Sequence, residues 1–119
     1  MRIFVTTQFE ALHSWSDAPQ SESFLRNSHR HQFKVRLQIQ VTGDDREIEF
    51  FALKKKLDKT IEATINKNDA GSCEQIARRI IKGLGNIYFD LTGRKIVCEV
   101  SEDGENGAIV EVPDMEALC

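Results

Sequence analysis

The sequence predicts an α+β domain in which an antiparallel sheet carries two helices on one face, in the order ββααββ. Three observations predict it. Residues 31–42, HQFKVRLQIQVT, alternate between apolar and polar side chains. Two segments in the middle of the chain repeat their apolar residues every three or four positions. Short runs rich in β-branched residues stand near both ends. A period of two buries one face of a strand, and a spacing near 3.6 buries one stripe of a helix. A sheet with helices on a single side buries all of these stripes at once.

Taken in order, residues 2–9 (RIFVTTQF) form the first strand on β-branched and aromatic content. In the second, Phe33, Val35, Leu37, Ile39 and Val41 face one way, and Gln32, Lys34, Arg36, Gln38 and Gln40 the other. Thr42-Gly43-Asp44-Asp45 reads as a turn, after which 46–50 (REIEF) returns as a brief strand. Over 50–65, Phe50, Leu53, Leu57, Ile61 and Ile65 form the buried stripe of a helix, with Lys54, Lys55, Asp58, Lys59 and Glu62 on its other side. NKNDAG (66–71) breaks that helix. Ser72 caps the next, and Gln75, three residues on, completes a capping-box pattern. Ile76, Ile80 and Leu84 make its stripe, and Gly85 suits a left-handed stop. Strands over 86–91, 95–101 and 107–112 close the chain, the first of them a small extra one, and 113–119 is expected to be loose.

A length of 119 residues suits one domain spanning 1–119, with one modest core. A net charge of −3 argues against a nucleic-acid partner. No apolar run approaches the ~20 residues that cross a bilayer, and the N-terminus lacks the pattern of a secretory signal. Cys73, Cys98 and Cys119 are odd in number and share no metal-type spacing. Free thiols in a reducing, cytoplasmic setting are the expectation.

The chain has three histidines. His29 and His31 are two apart, so on a strand they share a face, which continues into Phe33 and Val35. His13 is in phase with Phe9 and Ala11 if the first strand runs that far. Pairing of the first two strands then brings three imidazoles together. Zinc bound by three nitrogens keeps a fourth position open for water or substrate. The alternative for a His-x-His pair is a surface or hydrogen-bonded pair with no metal.

The surrounding residues resemble a family. QFEALH (8–13), a polar loop and then SHRHQFKVRLQIQV (28–41) are similar to the zinc-binding segments of the 6-pyruvoyl-tetrahydropterin synthases. That family includes the 6-carboxy-tetrahydropterin synthases of the queuosine pathway. IEFFALKKKL (48–57), GSCEQIA (71–77) and IVCEV (96–100) follow in the family's order. The resemblance implies a tunnelling-fold (T-fold) subunit with Zn2+ on His13, His29 and His31. It implies a lyase acting on 7,8-dihydroneopterin triphosphate, with Glu99 holding the pterin ring and Ser72, Cys73 and Glu74 bordering the pocket. It further implies a homo-oligomer, a hexamer built as a dimer of trimers whose sheets join edge to edge. Read as residues alone, Glu99 is a solvated strand glutamate on the parity opposite Ile96, Cys98 and Val100, and Ser72 is a helix cap.

The chain departs from the pattern where the family moves protons. Leu25 stands in place of its reactive cysteine, and Ile61 and Glu62 in place of its Asp-His pair. Glu62 and Cys73 are the candidate substitutes, Cys73 because a helix N-terminus lowers a thiol pKa. Their plainer roles are a solvated helix face and a small buried side chain. Three readings follow: a working synthase-like lyase, a zinc- and pterin-binding paralogue without that chemistry, or a likeness of fold alone in which Lys34, Arg36 and the glutamines of the long strand line an interaction surface.

Overall fold

A computed structural model describes residues 1–115. Six main elements run in the order β1 (Arg2–His13), β2 (His29–Gln40), α1 (Phe50–Thr64), α2 (Cys73–Ile87), β3 (Ile96–Glu102) and β4 (Asn106–Val112). The sheet order is β1-β2-β3-β4 and every pairing is antiparallel. This is the α+β, ββααββ arrangement that the periodicities predict. No helix among the described residues is long and apolar enough to cross a membrane.

Alternation positions the core. Phe33, Val35, Leu37 and Ile39 are at most 1 % exposed, while Lys34, Arg36 and Gln40 lie on the solvent face. Opposite them, Leu53 and Leu57 of α1 and Ile76, Ile80 and Leu84 of α2 are fully buried. Each such side chain contributes roughly 1.5–3 kcal/mol on burial. The two helices press closely at Gly83, where a Cβ would stand 2.6 Å from the Thr60 methyl group.

The helix starts follow the sequence. Ser72 Oγ accepts from the Gln75 amide at 3.1 Å, and Gln75 Oε1 accepts from the Ser72 amide at 3.0 Å. Glu49 caps α1, its carboxylate accepting from the Ala52 amide at 2.6 Å.

Five expectations are corrected. Residues 46–50 form no strand: Arg46 adopts a positive φ of 51°, and Glu47 turns back to accept from the Gly43 amide at 3.0 Å and to pair with Arg94. Ile48 still reaches the core, without a ladder. Residues 86–91 form no strand either. The helix α2 runs through Gly85 to Ile87, and a short 3-10 helix covers Phe89–Leu91. Tyr88 and Leu91 are buried three apart while Phe89 is exposed, which is a helical spacing. Gly85 is therefore no helix stop. Phe50 lies outside the buried stripe of α1, at 57 % exposure. The tail begins anchored: Met115 is buried and its amide donates to the Arg94 carbonyl at 2.9 Å. The rest of that tail, Cys119 included, lies outside the described residues.

Candidate metal centre

The β1–β2 register sets His13 directly opposite His29 and Ala11 opposite His31. Parity keeps all three imidazoles on the helix-covered face, at the end of the core beyond the stacked pair Phe9 and Phe33. The rings meet edge to face, with centroids 4.5 to 5.1 Å apart. One nitrogen from each lies within 4.8 Å of the other two. Three atoms that close always share a point within about 2.8 Å of each, a small inward movement from the ~2.0–2.1 Å of a zinc–nitrogen bond.

Which nitrogens face that point follows from the others. His13 Nδ1 lies 2.8 Å from the Gly71 carbonyl oxygen, His29 Nδ1 2.8 Å from that of Asn27, and His31 Nδ1 2.7 Å from Asp103 Oδ2. A carbonyl or a carboxylate can only accept, so each Nδ1 carries the proton. Every Nε2 of a neutral ring is then an unprotonated donor to a metal, the arrangement that outer oxygen partners impose on metal-binding histidines. Among the described residues, the buried His13 Nε2 has no hydrogen-bond partner. A buried lone pair without a partner is costly. A bound cation removes that cost, so these residues fit a metal.

Local structure places the oxygens. The 66–71 segment docks on the edge of β1: the Leu12 amide donates to the Lys67 carbonyl at 2.8 Å, and the Ala70 amide to the Leu12 carbonyl at 2.9 Å. Gly71, at a φ of +88°, then turns its carbonyl toward His13. Asp103 and Gly104 hold φ values of 57° and 77° in the β3–β4 turn, a region that Asp tolerates and Gly favours. Asp103 Oδ1 accepts from the Gln32 amide at 3.0 Å while Oδ2 faces His31. The His31 contact first, then the Gln32 amide, hold the Asp103 carboxyl below the usual range.

A cavity of about 750 Å3 opens beside the triad, lined by His13, His29, Trp15, Leu25, Ser72, Cys73, Glu74 and Glu102. Ser72, Cys73 and Glu74 are therefore next to the histidines. Ser72 is also spent as a helix cap. Cys73 does not have the lowered thiol pKa expected of a helix start: burial first, then the Glu102 and Glu74 carboxylates, push it up to about 11. A cation in the cavity would pull the other way.

Glu62 is exposed on α1 and does not line this cavity. Glu99 lies on the opposite face of the sheet, across from Arg36 in register, in a separate cavity of about 700 Å3 with Thr6, Lys34 and Lys54. Within one chain it does not border the histidines. A carboxylate that does is Glu102, with Oε1 3.4 Å from His13 Nε2 and Oε2 3.5 Å from His31 Nε2. Its signal was available as parity, because the buried series Ile96, Cys98, Val100 steps by two onto Glu102.

No protein-family model matches the chain, and no curated protein sequence matches it.

Proposed function

We propose that the protein is a zinc-dependent lyase of the 6-pyruvoyl/6-carboxy-tetrahydropterin synthase type, acting on 7,8-dihydroneopterin triphosphate. One observation carries the reading: each of the three histidines sets Nδ1 against an acceptor oxygen, and one nitrogen from each ring lies within 4.8 Å of the other two. Three neutral imidazoles with an open fourth position are the donor set of catalytic zinc, and nitrogen ligands disfavour magnesium or calcium. The sequence resemblance supplies the substrate class.

His13, His29 and His31 would hold the zinc. When bound, it acidifies and polarises a coordinated substrate oxygen. The remaining work falls to the chain. Gly71, Asn27 and Asp103 fix the three tautomers and ring orientations. Leu25 and Trp15 form an apolar wall on the cavity, where water is displaced. Glu102 presents two acceptor oxygens to the same space, complementary to the adjacent amino and ring N–H donors of a pterin. The oligomer follows by the same resemblance, with β1 and β4 as the outer strands available to neighbours.

A second reading is favoured by a specific observation. Glu62 stands outside the cavity, and burial raises the Cys73 thiol in the metal-free chain, so neither proposed substitute is set up as a base for the substrate. On that reading the protein binds zinc and a pterin without turnover. Metal analysis of protein purified without chelator tests the shared part, with one zinc per chain expected and none overturning both readings. Incubation with 7,8-dihydroneopterin triphosphate, followed by product analysis, separates them. A tetrahydropterin product supports the lyase, and unchanged substrate that still protects the protein from thermal unfolding supports the paralogue.

A further inference from the structure

Glu102 faces one ring nitrogen of His13 and one of His31 at distances looser than a close hydrogen bond. Separations of 3.4 and 3.5 Å exceed the ~2.7–2.9 Å of a charge-assisted hydrogen bond. With each Nδ1–H donating to its own oxygen, the Nε2 atoms of both rings, when neutral, aim lone pairs at a carboxylate. That meeting is repulsive unless a proton or a metal cation lies between them, and a metal also satisfies the third imidazole. Around a tetrahedral zinc, neighbouring ligand atoms at bonds of ~2.0–2.2 Å stand roughly 3.3–3.5 Å apart. The carboxylate thus sits at ligand-to-ligand spacing from two of the three imidazoles, and it is only 29 % exposed.

We propose that Glu102 is a fourth, exchangeable ligand: without substrate its carboxylate closes the metal's coordination shell, and substrate takes that position when it binds. This rests on the three-histidine centre proposed above. It adds that the resting site holds its metal with three imidazoles and a carboxylate, rather than three imidazoles and a water. No activated water is then present before substrate arrives. Asp103, the next residue, holds His31 from behind, which ties the carboxylate and one imidazole to the same turn.

The test uses metal-free protein titrated with cobalt(II), whose visible spectrum reports its ligands. Wild-type protein is expected to bind one cobalt per chain with a spectrum constant from about pH 6 to 9, because no bound water is there to ionise near pH ~7. Glu102→Gln should admit water, so that its spectrum titrates within that range. Its Kd should rise by more than the roughly 10–100-fold seen on losing an outer partner of a ligand. A wild-type spectrum that titrates near neutrality overturns the proposal. So does a Glu102→Gln protein with unchanged affinity and spectrum. If that variant does not fold, the wild-type titration alone decides. His31→Ala separates the underlying reading: one cobalt still held there removes the triad itself, whatever Glu102 does.

Discussion

Gly71→Ala is the sharpest probe of how the backbone builds the centre. At a φ of +88° an alanine Cβ is strained by about 1–2 kcal/mol. The same Cβ would meet Gln75 Oε1 at 2.6 Å and Arg79 Nη1 at 3.2 Å. Gln75 is a flexible side chain and can withdraw, but it then releases the Ser72 amide and opens the capping box, costing a further ~0.5–2 kcal/mol. The expected destabilisation of metal-free protein is therefore about 1.5–4 kcal/mol, read by urea unfolding. Relief of the strain rotates the 71 peptide, so its carbonyl leaves His13 Nδ1 and the affinity for the proposed zinc should fall roughly 10–100-fold. Gln75→Ala loses the cap but not the carbonyl, and should weaken stability with little change in zinc affinity. If Gly71→Ala binds zinc like wild type while losing stability, the Gly71 carbonyl does not orient His13 and that part of the reasoning is wrong.

Three further outcomes are expected. Glu47 accepts from Arg94, Gly43 and Thr42, which lowers its carboxyl to about 2. Because the folded value is depressed, its stabilisation is complete above the unfolded value near 4.5 and disappears as pH falls through about 2. Glu47→Gln should therefore unfold more easily than wild type at pH 7, with the difference shrinking steadily below about pH 4.5 toward pH 2. On the alkaline side, the raised thiol of Cys73 favours the folded state only while it is protonated. Metal-free wild type should lose stability between pH 9 and about 11 more steeply than Cys73→Ser. Leu57→Ala, at a fully buried position between α1 and the sheet, should cost about 2–5 kcal/mol, and a cost below about 1 would mean that α1 packs loosely there.

Most of the fold was legible because it rests on periodicity. The alternation of 33–41 fixed one face of β2, and the triad followed from extending that parity to His31 and His29 and pairing it with His13. The misreadings have local causes. The aromatic and branched run NIYFDL looks like a strand, yet Tyr88 and Leu91 are buried three apart and continue the helical direction of α2. REIEF has strand-like content, but a positive φ at Arg46 and the pull of Arg94 on Glu47 bend it out of any ladder. Motif position assigns Glu99, on the face away from the histidines, and does not single out Glu102, which parity puts beside them. The oxygens behind the histidines could not be read at all. The Gly71 carbonyl reaches His13 only because a loop docks on the β1 edge, and Asp103 reaches His31 only through the geometry of a turn, 58 and 72 positions distant in sequence respectively.

That distribution of parts makes the centre a lock on the fold as well as a site. His13 belongs to β1, His29 and His31 to β2, and their oxygen partners to the loop before α2, the loop before β2 and the β3–β4 turn. A slip of one residue between β1 and β2 would send the imidazoles to the polar face along with every core side chain of the strand. The Phe9–Phe33 stack, two rungs in from the Ala11–His31 pair, guards that register from the core side. A metal would guard it from the open end. Binding to the folded state alone adds RT ln(1 + [M]/Kd), about 2.7 kcal/mol at a hundredfold excess over Kd. That stabilisation is concentrated on strand ends and loops, the segments that open first in a domain of this size. Metal should therefore slow amide exchange most at Leu12 and Ala70, whose hydrogen bonds join the β1 edge to the loop carrying Gly71, and least in the centre of β2. Uniform protection across the sheet would mean that metal stabilises the molecule globally without the local lock described here.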